Sequence, residues 1–360
     1  MKVLHVINSL QTGGAEKLLL ETIPLYNKKG IKTDLLLLNG KETPFLATLK
    51  NMSCCNIYSL NSNPYNPLHV FRMMPFLRKY DIAHVHLFPS QYWIVLAKIF
   101  SLSKIKIVVT EHSTTNPRLN NFFLSTIDRF IYRFYDRIVC IADDVFEIIF
   151  KHLKQPKSKI VLIQNGVSLQ KIYDAQPYTK DEISELLTNQ DILLIHIASF
   201  NKHKDQETAI NSLQYLPGNI KLIFVGDGVL KENCEKLVHK LGLEKRVVFL
   251  GIRTDAPQLL KTADISVLST NGEGSSLVAI ESMASGIPFI ASDVPGMMNV
   301  RGAGILFEKG NAEELAFFIT KLINEKDFYD TIATSGKERA REFDIEIMVE
   351  KHITLYKSII

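Results

Sequence analysis

Along this chain, near-continuous apolar runs alternate with segments whose apolar residues recur at helical spacing. In the first half the runs are VLHVIN at 3–8, TDLLLL at 33–38, IAHVHL at 82–87, KIVVT at 106–110, RIVCIA at 137–142 and KIVLIQN at 159–165. In the second half they are ILLIHIA at 192–198, KLIFVG at 221–226, VVFLG at 247–251, DISVLS at 264–269 and PFIAS at 288–292. A strand that is apolar at odd and even positions alike must be covered on both faces, the condition of a parallel strand between helix layers. Two such series predict two doubly wound α/β domains. The polar, acidic stretch 173–191, which carries Pro177, reads as the linker between them. The last segment spaces Ile345, Met348, His352, Leu355 and Ile359 as one helical face, which would dock on something apolar.

Length agrees with this pattern, because 360 residues exceed one ordinary core and suit two domains of roughly 100–200 residues. The most apolar stretch, 94–109, is broken by Lys98, Lys104 and Lys106, so no membrane-spanning helix is expected. The opening MKVLHVINSL has no small-residue cleavage site and is not expected to be a signal peptide. Cys54, Cys55, Cys140 and Cys234 have neither metal spacing nor a disulfide framework, which suits a reducing cytoplasm. Charge divides the chain more sharply than composition does. Residues 1–175 hold 22 Lys and Arg against 12 Asp and Glu, a surplus of +10; the remainder holds 20 against 26. A basic first half suggests phosphates or an anionic membrane surface, whereas the absence of a Cys/His finger or basic-aromatic motif disfavours nucleic acid.

Chemistry concentrates at a few strand ends. After the first strand, Gly13 and Gly14 stand where a helix begins near Ala15, and helix-start amides favour an anion. The spacing is neither GxGxxG nor GxxxxGK[ST], so a plain tight turn is an equal reading and a dehydrogenase is disfavoured. In STNGEGSSLVAIESMASGIPFIASDVPG, residues 269–296, Ser275 or Ser276 caps a helix that stops at Gly286. Glu273 precedes that helix, Glu281 lies within it, and the amides of Ser276, Leu277 and Val278 open outward for a diphosphate. In isolation, E-x7-E reads as a capped helix with solvated acids. His84 and His86 share one face of a strand end, and Glu111 and His112 end the next strand as a candidate acceptor wall. Asp143 and Asp144 read as a helix start, and no HxxEH, DxD or CxxC spacing supports a metal. Residues 118–137 predict an amphipathic helix with an apolar stripe of Phe123, Ile127, Phe130 and Phe134 beside a basic stripe of Arg129, Arg133 and Arg137. That helix belongs either to the core, with snorkelling arginines, or to an anionic acceptor or membrane surface.

The 269–296 segment resembles the signature of the family 4 retaining glycosyltransferases of the GT-B fold. NSLQTGGAE, DIAHVHLF, DRIVCIAD, QNGV, LIFVGDG and VVFLGIRTD resemble recurrent family segments, in order over nearly the whole chain. The resemblance implies two Rossmann-like domains facing across a cleft: an acceptor domain 1–175, to which a C-terminal helix within 343–360 returns, and a donor domain 176–342. It implies that Glu281 holds ribose hydroxyls, Glu273 the donor sugar, and the amides near Gly14, Leu277 and Val278 the diphosphate. Lys204 would neutralise the leaving phosphate, Gly251 to Arg253 would edge the nucleobase, and His86 would stand near the reacting centre. Ser199 occupies the place of the family's partner arginine, which removes one charge; Lys202 is the nearest replacement.

The function so implied is retaining transfer of a sugar from a nucleotide diphosphate sugar, UDP ahead of GDP, to a glycan or lipid-linked acceptor in cell-surface polysaccharide or glycoconjugate synthesis. No metal or other cofactor is called for. Arg129, Arg133, Glu111 and His112 are the candidate acceptor residues, and the location expected is cytoplasmic, peripheral on the inner face of the membrane. The alternatives are a nucleotide-sugar epimerase of the same architecture and a catalytically silent partner subunit, the latter argued from Ser199.

Overall fold

A computed structural model describes residues 1–11, 13–112, 122–153, 156–297 and 300–360, with the side chains of 122 and 123 outside the description. The chain divides into two compact units, Met1–Gly166 with Ile345–Ile360, and Val167–Asp344. The division therefore precedes the expected boundary at 175. The reason is that the helix Leu169–Asp174 buries Leu169 and Ile172 within the second unit.

The first unit is built on seven parallel strands: β1 Lys2–Ile7, β2 Lys32–Leu37, β3 Ile57–Ser59, β4 Ile82–His86, β5 Lys106–Glu111, β6 Arg137–Cys140 and β7 Ile160–Leu162, in the order β3-β2-β1-β4-β5-β6-β7. The second has six: β8 Ile192–Ile197, β9 Ile220–Val225, β10 Val247–Phe249, β11 Ile265–Leu268, β12 Phe289–Ser292 and β13 Ile305–Phe307, in the order β10-β9-β8-β11-β12-β13. Period-two alternation explains why both faces are apolar. Leu36 and Leu38 enter one core cluster while Leu35 and Leu37 enter another. In the second unit Leu194, Leu222 and Phe224 are likewise separated from Leu193, Ile195, Ile223 and Val225.

Eleven of these strands coincide with the predicted runs to within a few residues at their ends. The two not foreseen, β3 and β13, are three-residue edge strands with no longer apolar run around them, whereas the equally short β7 and β10 lie within the runs 159–165 and 247–251. The C-terminal helix Ile345–Lys357 returns to the first unit and buries Ile345, Met348, His352, Leu355 and Tyr356. Lys29, just past the helix Gly14–Lys28, pairs with Glu346 and Glu350 at 2.9 and 2.7 Å. Strand order reverses between β1 and β4 and again between β8 and β11. In open α/β sheets, ligands bind beyond the carboxyl ends of the strands at such points.

Candidate functional site

In the second unit, the loop after β8 and the loop after β11 leave neighbouring strands at this reversal and are tied together. The Asn271 N–H donates to the His203 carbonyl at 2.9 Å, Thr270 Oγ1 donates to the same carbonyl at 3.0 Å, and the Asp205 N–H donates to Ser269 at 3.2 Å. This clamp brings Lys204 Nζ onto the carboxylate of Glu273 in a largely buried ion pair. Two residues assigned separate roles by sequence are thus partners. Gly296 holds the far side of the loop: at φ +89° it admits the close approach of the Glu273 carbonyl, where a Cβ would collide. Ser276, not Ser275, is the N-cap of the helix Leu277–Ser285, accepting from the Ala279 N–H at 3.3 Å. The Ser275 hydroxyl is buried and has no partner among the described residues. Gly286 closes the helix in the left-handed region at φ 81°. Glu281, on its second turn, is buried at 4% exposure.

The remaining expected donor residues are arranged differently. Ser199 is exposed and accepts from Asn201 Nδ2 at 2.8 Å, with Lys202 exposed on the same loop. Gly251 gives its carbonyl to the Gly226 N–H at 2.8 Å. The Arg253 guanidinium is held by Asp255, which also accepts from the Tyr178 hydroxyl at 2.8 Å. Arg253 holds the Asp255 carboxyl down at about 2, so this fork is committed within the unit. The sequence reading missed His196, which lies behind the clamp. Its Nε2 meets the Ser269 hydroxyl at 3.2 Å, and burial lowers it to about 4.

In the first unit, Gly13 is the N-cap of the helix Gly14–Lys28, extended and without a side-chain cap. Glu16, also missed, folds back over Gly13, and burial pushes its carboxyl up to about 7. Beyond β4, Leu87 takes φ 61°, and the Ser90 hydroxyl donates to the His86 and Leu87 carbonyls at 2.5 and 2.8 Å. Asn8 bridges the two strand ends, donating to the Phe88 carbonyl at 2.7 Å.

As alternation requires, His84 and His86 share a face, and His5 on β1 pairs in register with His84. His84 Nδ1 meets the Tyr356 hydroxyl at 2.5 Å and its Nε2 meets Thr110 at 2.7 Å. Burial drives both strand histidines well below the ordinary imidazole value, and lowers His5 to about 3 and His112 and His352 to about 4. These five rings line one cavity of about 30 Å³. Ring nitrogens of His5, His84 and His86 lie within 4.8 Å of one another, close enough for a metal to be considered. Both nitrogens of His84 and both of His86 already face hydrogen-bond partners, however, so hydrogen bonding describes the cluster better than coordination.

The acceptor-wall residues separate. His112 is half-buried beside His86. Glu111 turns inward instead, accepting from Gln91 at 3.0 Å and from the Tyr132 hydroxyl, because it still belongs to β5. The predicted helix of 118–137 is described as Phe122–Tyr132; residues 118–121 and the Phe123 side chain lie outside the described residues. Its basic stripe does not form one free face. Arg129 donates to the His152 carbonyl at 3.0 Å and Arg137 to the Asp136 carbonyl at 2.8 Å, which leaves Arg133 exposed. Phe130 is half-exposed, and Ile127 and Phe134 pack on the core. Asp143 and Asp144 do begin a helix, Asp143–Leu153.

Comparison with known proteins finds two family models, one in each half of the chain. The family described as "Glycosyltransferase Family 4" matches residues 12–171 and "Glycosyl transferases group 1" matches residues 178–339. An N-acetyl-alpha-D-glucosaminyl L-malate synthase of Bacillus anthracis is 27% identical over 78% of this chain and 75% of its own. An N-acetylgalactosamine-N,N'-diacetylbacillosaminyl-diphospho-undecaprenol 4-alpha-N-acetylgalactosaminyltransferase of Campylobacter jejuni is 25% identical over 94% of each chain. Among solved structures, Anabaena HepE in complex with UDP and glucose superposes with a TM-score of 0.85 at 20% identity, covering 99% of this chain and 100% of its own. The chain belongs to the family 4 glycosyltransferases, enzymes of the GT-B fold.

Proposed function

We propose that this glycosyltransferase moves a sugar from a nucleotide diphosphate sugar, UDP ahead of GDP, to a hydroxyl of a glycan or lipid-linked acceptor, with retention of anomeric configuration. The observation that carries the reading is the Lys204–Glu273 pair set beside the opening amides of the helix Leu277–Ser285, with the buried Glu281 one turn further in. Those amides and Lys204 offset the charge of a diphosphate, and Glu281 suits a pair of ribose hydroxyls. As the bond between the acceptor oxygen and the anomeric carbon forms, the bond to the diphosphate breaks, and the acceptor proton passes to a diphosphate oxygen. Catalysis then rests on positioning and on fixed charge, and it proceeds without a metal. The complex of HepE with UDP and the undecaprenol-linked substrate named for the Campylobacter relative support the choice of donor and acceptor classes. A thermal-shift screen of UDP, GDP and their sugars, with and without EDTA, tests the reading. A hundredfold excess over Kd should add about 2.7 kcal/mol of stability, and no response to any nucleotide would remove it.

The location proposed is the cytoplasm, peripheral on the inner face of the membrane. Among the described residues, no helix is long and apolar enough to cross a bilayer. The reading is supported by the exposed Leu68, Phe71, Phe100 and Leu102 of the first unit, with the exposed Arg72, Arg78, Lys79 and Lys104 close in sequence. This is the composition that an anionic bilayer surface attracts. The silent-subunit alternative keeps one observation in its favour, the exposed Ser199 where the family arginine would stand.

A further inference from the structure

Two loops of the first unit build a corner of aromatic rings at the carboxyl ends of its strands. Tyr65, in the loop after β3, is 63% exposed, and Phe88, in the turn after β4, is 39% exposed. Their rings meet with centroids 6.1 Å apart and planes at 61°, and Phe88 packs in turn on Tyr92 at 5.1 Å and 88°. The loop that carries Tyr65 is held by hydrogen bonds. The Trp93 indole N–H donates to the Pro64 carbonyl at 2.7 Å, His69 Nε2 meets the Asn63 carbonyl at 2.9 Å, and the Asn63 side chain accepts from the Tyr65 N–H at 3.0 Å. On the other side Asn8, just past β1, donates to the Phe88 carbonyl at 2.7 Å. Exposed rings fixed in this way lose little freedom on binding, which is the condition of a preformed surface.

Charge decides what the corner suits. Residues 1–175 carry a surplus of +10, yet the segments that build the corner, 56–71 and 82–97, contain no Asp, Glu, Lys or Arg. Arg72, at the border of the first segment, donates to the Leu60 carbonyl at 3.2 Å. The Tyr65 loop supplies neutral amides and a hydroxyl instead, in Asn61, Ser62, Asn63 and Asn66. A phosphate or an anionic headgroup finds no cation in either segment. A neutral pyranose matches both features, because its slightly positive C–H bonds lie against the negative face of an aromatic ring while its hydroxyls suit amides at the rim. Phe71 and Phe100 form a separate pair, 6.4 Å apart, with Arg72 and Lys104 close in sequence, the setting of a bilayer contact and not of this corner.

We propose that Tyr65 and Phe88 form a stacking subsite for a neutral pyranose ring, and that this ring belongs to the acceptor glycan. The second half of the proposal rests on the glycosyl-transfer reading. Stacking reads the face of a ring and not the full pattern of its hydroxyls, so the corner accepts more than one sugar and fixes the plane in which it lies.

The test is saturation-transfer NMR of methyl β-galactopyranoside and methyl β-glucopyranoside with the full chain, with the fluorescence of the single tryptophan, Trp93, as a second reading, since its indole bonds the carbonyl beside Tyr65. The wild type should bind at least one glycoside saturably, with transfer strongest to the C–H protons of one ring face. Tyr65→Phe should keep that binding, Tyr65→Ala and Phe88→Ala should each weaken it by about tenfold, and Phe71→Ala should leave it unchanged. No saturable binding of either glycoside by the wild type, or equal binding by Tyr65→Ala, would overturn the subsite. Displacement of the glycoside by UDP-glucose would overturn its assignment to the acceptor. Sedimentation with anionic vesicles that falls in Tyr65→Ala, with no glycoside bound, would make the corner a bilayer contact and overturn the proposal. UDP binding is read separately by thermal shift, so a chain that binds glycoside but not UDP fails the donor reading alone, and the converse fails the corner alone.

Discussion

Set side by side, the two units use one scaffold for opposite chemistries. Each is a parallel doubly wound sheet whose order reverses next to its first strand. At that reversal the first unit buries a web of neutral imidazoles, hydroxyls and rings, whereas the second clamps two loops to hold an ion pair beside a helix start. The difference teaches that the scaffold supplies only the place; the residues at the strand ends decide whether it answers to charge or to hydrogen bonding.

Acid should separate the units most strongly. His5, His112 and His352 in the folded first unit titrate near 3 to 4, with His84 and His86 also far below 6.5, while in the second unit His196 is the histidine so lowered among the described residues. All these values lie below that of the unfolded imidazole, so the unfolded chain takes up protons first. Stability is intact above pH 6.5 and is lost as pH falls from 6.5 towards 4, by about 1.4 kcal/mol per pH unit for each such histidine. The single tryptophan, Trp93, lies in the first unit, so its fluorescence should change at higher pH than the far-UV circular dichroism of the whole chain. Coincident acid transitions would erase the contrast.

The ion pair of the second unit predicts the next largest effect. Lys204→Ala should lower sugar-transfer turnover by about a hundredfold, the scale of removing one preorganised charge-stabilising group, and should also lower the melting temperature, because the largely buried Glu273 loses its cation. Normal turnover would mean that Lys204 serves only the clamp. A smaller gain is expected from Ser199→Arg. It adds a cation at an exposed loop position and should tighten UDP binding by about 1 kcal/mol at low salt, an effect that high salt removes. Unchanged affinity would leave Ser199 outside the diphosphate's reach. The last effect concerns the membrane. Exposed basic residues near an anionic leaflet are each worth about 1 kcal/mol. Sedimentation with anionic vesicles should therefore fall after R78Q, K79Q and K104Q, and should persist after R129Q and R137Q, whose side chains bond inward. The reverse pattern would return the basic surface to Arg129 and Arg137.

The fold was legible wherever burial on both faces imposed apolar runs, as in IAHVHL and ILLIHIA. It was not legible for β3 and β13, three-residue strands with no longer apolar run around them. The helix of residues 277–285 was readable because capping serine, apolar face and closing glycine agree. The compact units divide at Gly166, ahead of the polar, proline-bearing stretch, because the burial of Leu169 and Ile172 in the second unit leaves no mark on local composition. Periodicity placed His84 and His86 on one face, but could not bring in His5 or His352, since those contacts depend on strand order and on the returning helix. Nor could it show Glu111 turning inward or Lys204 meeting Glu273, because pairings across 20 and 69 residues leave no mark on local pattern.

The central claim is that the second unit holds a nucleotide through Glu281 and its sugar through Glu273. Titration calorimetry of UDP against the parent chain, Glu281→Ala and Glu273→Ala tests it most directly. The account predicts one UDP per parent chain, a loss of about 1.5–3 kcal/mol for Glu281→Ala, and affinity within about twofold of the parent for Glu273→Ala, since plain UDP carries no sugar for that carboxylate to hold. Equal losses in both variants, or a parent chain that binds neither UDP nor GDP, would contradict it.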